Sequence, residues 1–278
     1  MTVDEIERAC VNADLLLYTR TWGMTDPVGA IAMMRRVEKL GVVTASFHLD
    51  LYLGLGREAT LDGDPFWSTQ FVFTPDGDPA SQAQFEARGI QHVWSPPAVH
   101  GPECVPGRVV EAFEHDVVFV GSYPYPHLEW PYRNKLVEWL GDNYGEEFKR
   151  YGGGSTVIRN EPLNDLYRSA GCVIGDSLCP GFTKPNYWSD RITETLGRGG
   201  VLIWPNIAGC AEFYGLIPGI HFFTYEFNDF DTLRSHITYC VENPESARVM
   251  ADSAQEKIAL YHTYRNRMEA LIEAVGLD

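Results

Sequence analysis

The sequence contains no long apolar run and no apolar leader. It has no stretch of about 18 apolar residues, so a membrane-spanning helix is not expected. Its N-terminus, MTVDEIERAC, is acidic and lacks the apolar core that signal peptides have. These two absences predict a protein of the cytoplasm.

Positive charge is scarce in this chain of 278 residues. It carries 22 Lys and Arg against 38 Asp and Glu, which gives a net charge of −16. An acidic surface repels phosphate backbones, so non-specific nucleic-acid binding is disfavoured. The six cysteines include no C-x-x-C pair, and a structural zinc site is therefore not expected. In the cytoplasm these thiols are expected to be reduced and mostly buried.

Short apolar segments alternate with helical segments along the chain, which is typical of an α/β protein. The length is sufficient for two domains that each bury a core. Strands are predicted at residues 14–19, 42–47, 70–74, 91–94, 116–120, 155–159, 172–175, 201–204 and 221–224. Helices are predicted at residues 27–40, 80–88, 132–142, 163–169, 190–198, 231–243 and 244–278, with a break in the last one near His262.

A proline-rich stretch interrupts the alternation at residues 95–107. It contains four prolines, which break regular structure. We interpret it as the linker between an N-terminal domain of residues 1–107 and a second domain that begins at residue 108.

Residues 175–200 carry the strongest signs of chemistry. A predicted strand ends at Gly175, a loop rich in glycine and proline follows, and a helix begins near Asp190. Ligands of open α/β sheets bind beyond the carboxyl ends of strands. A helix N-terminus at that position suits a diphosphate, and Lys184 and Arg191 can add charge-assisted hydrogen bonds to it.

Glu194 lies one helical turn after Arg191 and is expected to point in the same direction. Its carboxylate can accept two hydrogen bonds from a ribose diol. The spacing equally allows an ion pair with Arg198 at i, i+4 on a solvated surface, and spacing alone does not choose between the two.

A glycine run occurs at residues 152–155, GGGS. It looks like a phosphate-binding loop, but no lysine follows it as in a P-loop. We interpret it as a flexible turn that precedes the strand predicted at residues 155–159.

Several motifs of the second half resemble those of one family. SDRITETLGRGGVLI, residues 189–203, resembles the R-x-x-E-x-L-x-x-G-G signature of GT-B glycosyltransferases, and within them the group-1 branch related to the spore-maturation protein CgeB. Three further stretches look like patterns of that branch: NDFDTL (228–233), YCVENPE (239–245) and HTYRNR (262–267). VVFVGS (117–122), followed by Arg133, fits the first strand and helix of its donor domain. The resemblance covers residues 115–272.

The resemblance implies two Rossmann-like domains with a cleft between them. It implies a glycosyltransferase that moves a sugar from a nucleoside-diphosphate sugar to an acceptor hydroxyl. Residues 108–260 would bind the donor, and a C-terminal helix, residues 261–278, would cross back to the N-terminal domain. Enzymes of this fold generally neutralise the leaving diphosphate with helix dipoles and basic side chains, so no metal and no cofactor is expected.

The resemblance also assigns site residues. Glu194 would hold the donor ribose, and Gly121, Ser122 and Arg133 would belong to the donor site, the first two near the phosphates. Many retaining relatives carry a second Glu eight positions before the ribose Glu, and it contacts the donor sugar. Here that position is Asn186, so retention and inversion both stay open.

Two other functions share this architecture or this ligand. A nucleotide-sugar epimerase has the same fold, and a catalytically silent protein could bind a nucleotide sugar without turnover. The sequence names neither the acceptor, nor the nucleotide, nor the oligomeric state.

The competing GT-A class would need an Asp-x-Asp metal site, and the chain has three such triplets at residues 62–64, 76–78 and 229–231. The first two lie in turns rich in glycine and proline, where Asp favours the backbone geometry. The third precedes a helix, where Asp is a good N-cap. We therefore interpret all three as structural.

Candidate acceptor-side residues follow the first two strands. His48 and Asp50 lie on the same face if the second strand continues, and either can act as the general base that an inverting enzyme needs. They can equally be ordinary polar residues at a strand end. Arg20 and Trp22 can line an acceptor pocket, and Trp22 can also serve in packing alone.

Overall fold

The computed structural model describes residues 2–19, 26–49, 61–126, 130–177 and 184–277. The chain divides into two compact units. The first consists of residues 1–96 and 268–278, and the second of residues 97–267.

The first unit is built on a parallel sheet with the strand order β1-β2-β3-β4. Its strands are β1 (Leu15–Thr19), β2 (Val43–Phe47), β3 (Phe71–Thr74) and β4 (His92–Trp94). Its helices are α1 (Val3–Cys10), α2 (Pro27–Lys39) and α3 (Pro79–Ala87), with a 3-10 helix at Pro65–Ser68. All the described strands and the helices α2 and α3 lie within two residues of their predicted ends, whereas α1 was not predicted.

Side chains alternate along β1 because successive residues of a strand point to opposite faces. Leu16 and Tyr18 pack with the buried residues of α1 and α2. Leu15 and Leu17 pack on the other face against Leu271. The first unit therefore covers its sheet with helices on both sides.

Helix α2 shows why the local sequence was sufficient to predict the helices and strands of this unit. The carboxylate of Asp26 accepts a hydrogen bond from the backbone N–H of Gly29 at 2.8 Å, and Pro27 occupies the first turn. The helix ends before Gly41, whose φ of 89° is accessible mainly to glycine. The start and the end of α2 are thus encoded by residues in the helix or within two positions of its ends.

The second unit contains a parallel sheet with the strand order β6-β5-β7-β8-β9. Its strands are β5 (Val117–Val120), β6 (Phe148–Tyr151), β7 (Cys172–Ile174), β8 (Leu202–Pro205) and β9 (Phe223–Tyr225). Its helices are α4 (Tyr132–Tyr144), α5 (Glu161–Ser169), α6 (Arg191–Gly197), α7 (Cys210–Tyr214), α8 (Phe230–Glu242) and α9 (Pro244–Tyr261), and α10 (Tyr264–Ala274) begins in it. Helices α4 and α8 cover one face of the sheet, and α5 covers the other.

The predicted strand at residues 155–159 is wrong. The strand that joins the sheet is β6, Phe148–Tyr151. It lies at the sheet edge and carries Lys149 and Arg150, as edge strands commonly carry charge, so its apolar pattern is weak. Residues 155–159 form the connection to α5 instead, and Val157 is 58% exposed there. The short helix α7 was also not predicted.

The C-terminal helices break where the sequence predicts. Helix α9 ends at Tyr261 and α10 begins at Tyr264. The last residues cross back to the first unit, where Leu271 and Val275 pack against Ala45 and Phe73.

The boundary between the units lies within the predicted linker, near its start rather than at its end. The first unit ends at Pro96, whereas the predicted linker runs to Gly107. The backbone of Gly107 approaches Asn164 so closely that a Cβ atom would lie 2.2 Å from its carbonyl carbon. Arg108 donates its backbone N–H and its guanidinium to Asp165. The proline-rich segment is therefore fastened to α5 as part of the second unit.

None of the helices in the described ranges is both long and apolar enough to cross a bilayer.

Candidate functional site

The carboxyl ends of β5 and β6 meet at one edge of the second sheet. The N–H of Gly121 donates to the carbonyl of Tyr151 at 2.8 Å, and the N–H of Tyr123 donates to that of Gly153 at 3.0 Å. A Cβ atom on Gly152, which has a φ of 113°, would lie 2.7 Å from the carbonyl oxygen of Gly121. The glycine run therefore follows a strand rather than preceding one, and it packs against the loop after β5.

A pocket of about 430 Å³ opens beside these two loops. Its walls come from the loop after β5, the glycine turn after β6, the connection that leads into α5, the helix α6, and Glu103. Among the predicted donor residues, the pocket brings together Gly121, Ser122, Arg191 and Glu194.

Glu194 lies on the pocket side of α6, with 35% of its side chain exposed. Within the described part of the chain, no group donates a hydrogen bond to its carboxylate. Burial raises the pKa of Glu194, and the charge of Asp190 acts in the same direction, against the guanidinium groups of Arg198 and Arg191. This carboxylate therefore loses its charge at a higher pH than an exposed glutamate does.

Arg198 approaches Glu194 as the i, i+4 spacing allows, with Nη2 3.9 Å from Oε1. The pair does not lie on a solvated surface, because the Arg198 side chain is only 3% exposed. Its guanidinium donates to the side chains of Asn164 and Glu103. Arg198 is thus fixed by these partners, and Glu194 keeps its oxygens available to the pocket.

Arg191 is bound by the buried carboxylate of Asp176. Its Nε donates to the carbonyl oxygen of Val120 at 3.1 Å, and its Nη1 lies 3.2 Å from Asp176. Arg133 binds the same Asp176 through Nε at 2.7 Å. The side chains of Asp176 and Arg133 are 1% and 2% exposed.

The Arg191 side chain is 22% exposed and lines the pocket. A Cβ atom on Gly121 would lie 3.5 Å from its Nη2, so the guanidinium stands beside the loop after β5. Among the described residues, the pocket lining does not include Arg133, which binds Asp176, the same carboxylate that contacts Arg191.

Two other predicted donor residues lie outside the pocket walls. Within the described residues, the pocket lining includes neither Lys184 nor Asn186. Asn186 adopts a φ of 56°, and its backbone N–H donates to the carbonyl of Ala208 at 2.9 Å. A Cβ atom on Gly209 would lie 1.9 Å from its Oδ1, so this amide is packed against the turn before α7.

The acceptor-side candidates belong to the first unit. His48 directly follows β2, its backbone N–H donates to the carbonyl of Phe73 at 3.0 Å, and its ring meets that of Phe66 edge-on at 5.8 Å. Arg20, Trp22 and Asp50 lie outside the described residues.

Each of the three Asp-x-Asp triplets contains an aspartate that caps a helix or a turn, as the sequence predicts. Asp64 accepts from the N–H of Phe66, Asp78 caps α3, and Asp229 caps α8. Asp76 is fully buried and accepts from the hydroxyl of Thr74 at 2.9 Å. Within the ranges that the structure describes, no group of three or more His, Cys, Asp and Glu side chains is placed to hold a metal ion.

Two parts of the pocket were missed from the sequence. Glu103 lies on a 3-10 helix, Gly101–Glu103, inside the segment interpreted as a linker. Gly152 and Gly153 belong to the run interpreted as a flexible turn. The glycine run itself was the available signal, whereas nothing near Glu103 in sequence indicates a binding site.

Comparison with known proteins identifies related folds. A model of the family described as glycosyl transferase-like matches residues 108–273. HepE of Anabaena, solved with UDP, is similar with a TM-score of 0.67 and 13% identity, over 98% of this chain and 81% of that chain. Sucrose-phosphate synthase from Thermosynechococcus elongatus has a TM-score of 0.59 and 11% identity, over 98% and 77%.

A glycosyltransferase from Rickettsia africae has a TM-score of 0.57 and 11% identity, over 98% of this chain and 80% of that chain. At these identities the likeness concerns the fold, and it confirms the predicted GT-B class. None of the curated proteins matches the chain.

Proposed function

The chain belongs to the glycosyl transferase-like family and is a glycosyltransferase, and from that premise we propose that it transfers a sugar from a nucleoside-diphosphate sugar to an acceptor hydroxyl. The observation that carries this proposal is the pocket of the second unit. It places a carboxylate with available oxygens, a partly exposed guanidinium and two glycine-containing turns around one cavity.

Each part of the pocket matches one part of such a donor. The carboxylate of Glu194 is suited to a hydroxyl of a ribose. The guanidinium of Arg191 is suited to a diphosphate, because it can donate charge-assisted hydrogen bonds to phosphate oxygens. Gly121 and Gly152 line the pocket beside it without a side chain that would occupy the space of the diphosphate. HepE, whose fold is similar, was solved with UDP and with UDP-glucose, which supports a nucleotide sugar as the ligand.

The CgeB-like branch is part of the same proposal. Its HTYRNR motif forms the break between α9 and α10, where His262 Nδ1 lies 3.3 Å from Arg267 Nη2. The hydroxyl of Thr263 is bonded to Asn266 in the first turn of α10. The sequence of the motif is what supports the branch, and its residues hold the break between the two helices.

Donor binding is tested first by a thermal-shift screen over nucleotide sugars. A donor at 100-fold above its Kd is expected to stabilise the fold by about 2.7 kcal/mol. Product analysis with the best ligand then separates the activities. Transfer or slow donor hydrolysis supports the proposal, whereas an isomerised donor, or binding without any turnover, contradicts it.

Glu194→Ala is expected to weaken donor binding by about 1–3 kcal/mol, because hydrogen bonds to a charged carboxylate are lost. Isothermal titration calorimetry with the donor found in the screen measures this loss. The variant Glu242→Ala is the matched control, since it removes an exposed helical glutamate at the end of α8. Equal donor affinity of Glu194→Ala and the control would show that Glu194 has no part in the donor site.

Transfer is expected to survive EDTA, because Arg191 supplies positive charge beside the turns proposed to hold the diphosphate. The initial rate is measured in EDTA and after addition of Mn²⁺ or Mg²⁺. A complete loss in EDTA that either ion restores would show that the reaction depends on a metal.

A further inference from the structure

The segment that carries Glu103 is held beside the pocket by contacts with α5. The side-chain amide of Asn164 donates to the carbonyl of Glu103 at 3.0 Å and to that of Val105 at 2.9 Å. The backbone of Gly107 is packed against the same helix, α5. Because this segment is held at several points, the Glu103 carboxylate occupies a defined place at the rim of the pocket.

One buried guanidinium joins the two carboxylates of the pocket. Nη2 of Arg198 donates to Oε2 of Glu103 and lies 3.9 Å from Oε1 of Glu194. Asn164 accepts from Nη1 of the same arginine. Arg198 thereby compensates part of the repulsion between the two carboxylates and holds both near one point.

Each carboxylate keeps an oxygen for a ligand. In the described ranges, no group donates a hydrogen bond to Oε1 of Glu103 or to either oxygen of Glu194. Both side chains line the pocket, with 29% and 35% of their surface exposed. Two acceptors so placed are suited to a ligand with two adjacent hydroxyl donors.

We propose that Glu103 and Glu194 together bind the cis-diol of the donor ribose, each carboxylate accepting one hydroxyl. This inference rests on the proposed donor site. It makes Glu103 a specificity-determining residue, because a nucleotide that lacks either hydroxyl leaves one partly buried carboxylate without its donor. The enzyme therefore takes ribonucleoside diphosphates and discriminates against 2′-deoxy and 3′-deoxy ones.

Calorimetry with the unmodified protein tests the selectivity. UDP, GDP, ADP and CDP are titrated, and the tightest binder is compared with its 2′-deoxy and 3′-deoxy analogues. Each analogue is expected to bind about 10- to 100-fold more weakly, as for the loss of a hydrogen bond to a charged group. A deoxy analogue that binds as tightly as its parent overturns the shared-diol assignment. If none of the ribonucleotides binds, the donor site itself is refuted.

The variant Glu103→Gln shows which of the two ribose hydroxyls Glu103 accepts. Arg198 holds the amide oxygen of the new side chain, so its NH₂ group turns to the pocket and cannot accept. The variant is expected to bind the ribonucleotide about 10- to 100-fold more weakly, yet to bind one of the deoxy analogues as the unmodified protein does. Glu194→Gln is expected to bind the other deoxy analogue as the unmodified protein does.

The matched control is Glu111→Gln, an exposed residue of the next 3-10 helix, Glu111–Phe113. It is expected to change no affinity. If Glu103→Gln weakens all three ligands by the same factor, Glu103 acts only by pairing with Arg198, and the inference is overturned.

Discussion

Asp176→Ala is expected to lower the free energy of unfolding by about 3–5 kcal/mol, because removing one partner of a buried ion pair leaves the other charge uncompensated. Asp176 is fully buried and binds Arg133, whose side chain is 2% exposed. Burial lowers the pKa of Arg133, against the charge of Asp176, which raises it. Without the Asp176 carboxylate, the guanidinium of Arg133 is still buried away from water, but the negative charge that compensates for its burial is gone.

The same substitution is expected to weaken donor binding, because Arg191 loses the partner behind its guanidinium. Urea unfolding followed by tryptophan fluorescence measures the stability, and calorimetry at a temperature where the variant is folded measures the affinity. Asp142→Ala removes an exposed carboxylate from α4, the helix that carries Arg133, and is the control. A loss of stability no larger than that of the control would contradict the buried-pair argument.

Replacing the general base is expected to lower kcat by about 10²- to 10⁴-fold and to leave donor affinity nearly unchanged. The candidates are His48 and Asp50. His48 follows β2 at the carboxyl edge of the first sheet, where ligands of α/β sheets bind. Imidazole is the commonest general base of enzymes, which favours His48. The resemblance implies that Asn186 stands where many retaining relatives carry a Glu, and on this ground inversion is part of the proposal.

The variants His48→Ala and Asp50→Asn separate the two candidates by their kcat and donor Kd. Asp14→Asn is the control, since Asp14 is exposed and precedes β1, at the opposite edge of the same sheet. NMR of the product gives its anomeric configuration. A product with the configuration of the donor, together with near-normal kcat in both variants, would leave these residues without a catalytic role.

Local signals in the sequence were sufficient to predict most helices and strands of both units. Asp26 and Asp229 cap their helices through bonds that span three residues. Gly41 ends α2, and the apolar pattern of β1 is decided within five residues. Such features are predictable because cause and effect lie within one or two turns of the chain.

The edge strand β6 shows where local pattern fails. Its residues FKRY are half charged, and they become a strand only because β5 offers a partner. The glycine run was recognised but placed before a strand, and its role beside Gly121 depended on where β6 lies. Whether such a segment forms a strand depends on its register and its neighbouring strands rather than on its composition.

By itself the sequence determined the α/β class, the alternation of strands and helices, and the presence of Arg191 and Glu194 one turn apart on a helix. Only the tertiary structure decided which other residues reach them. Arg198 meets Glu103 across 95 positions of the chain, and Arg133 meets Asp176 across 43. No periodicity or spacing records such contacts, because burial brings the two charges together only after the sheet and its helices have packed.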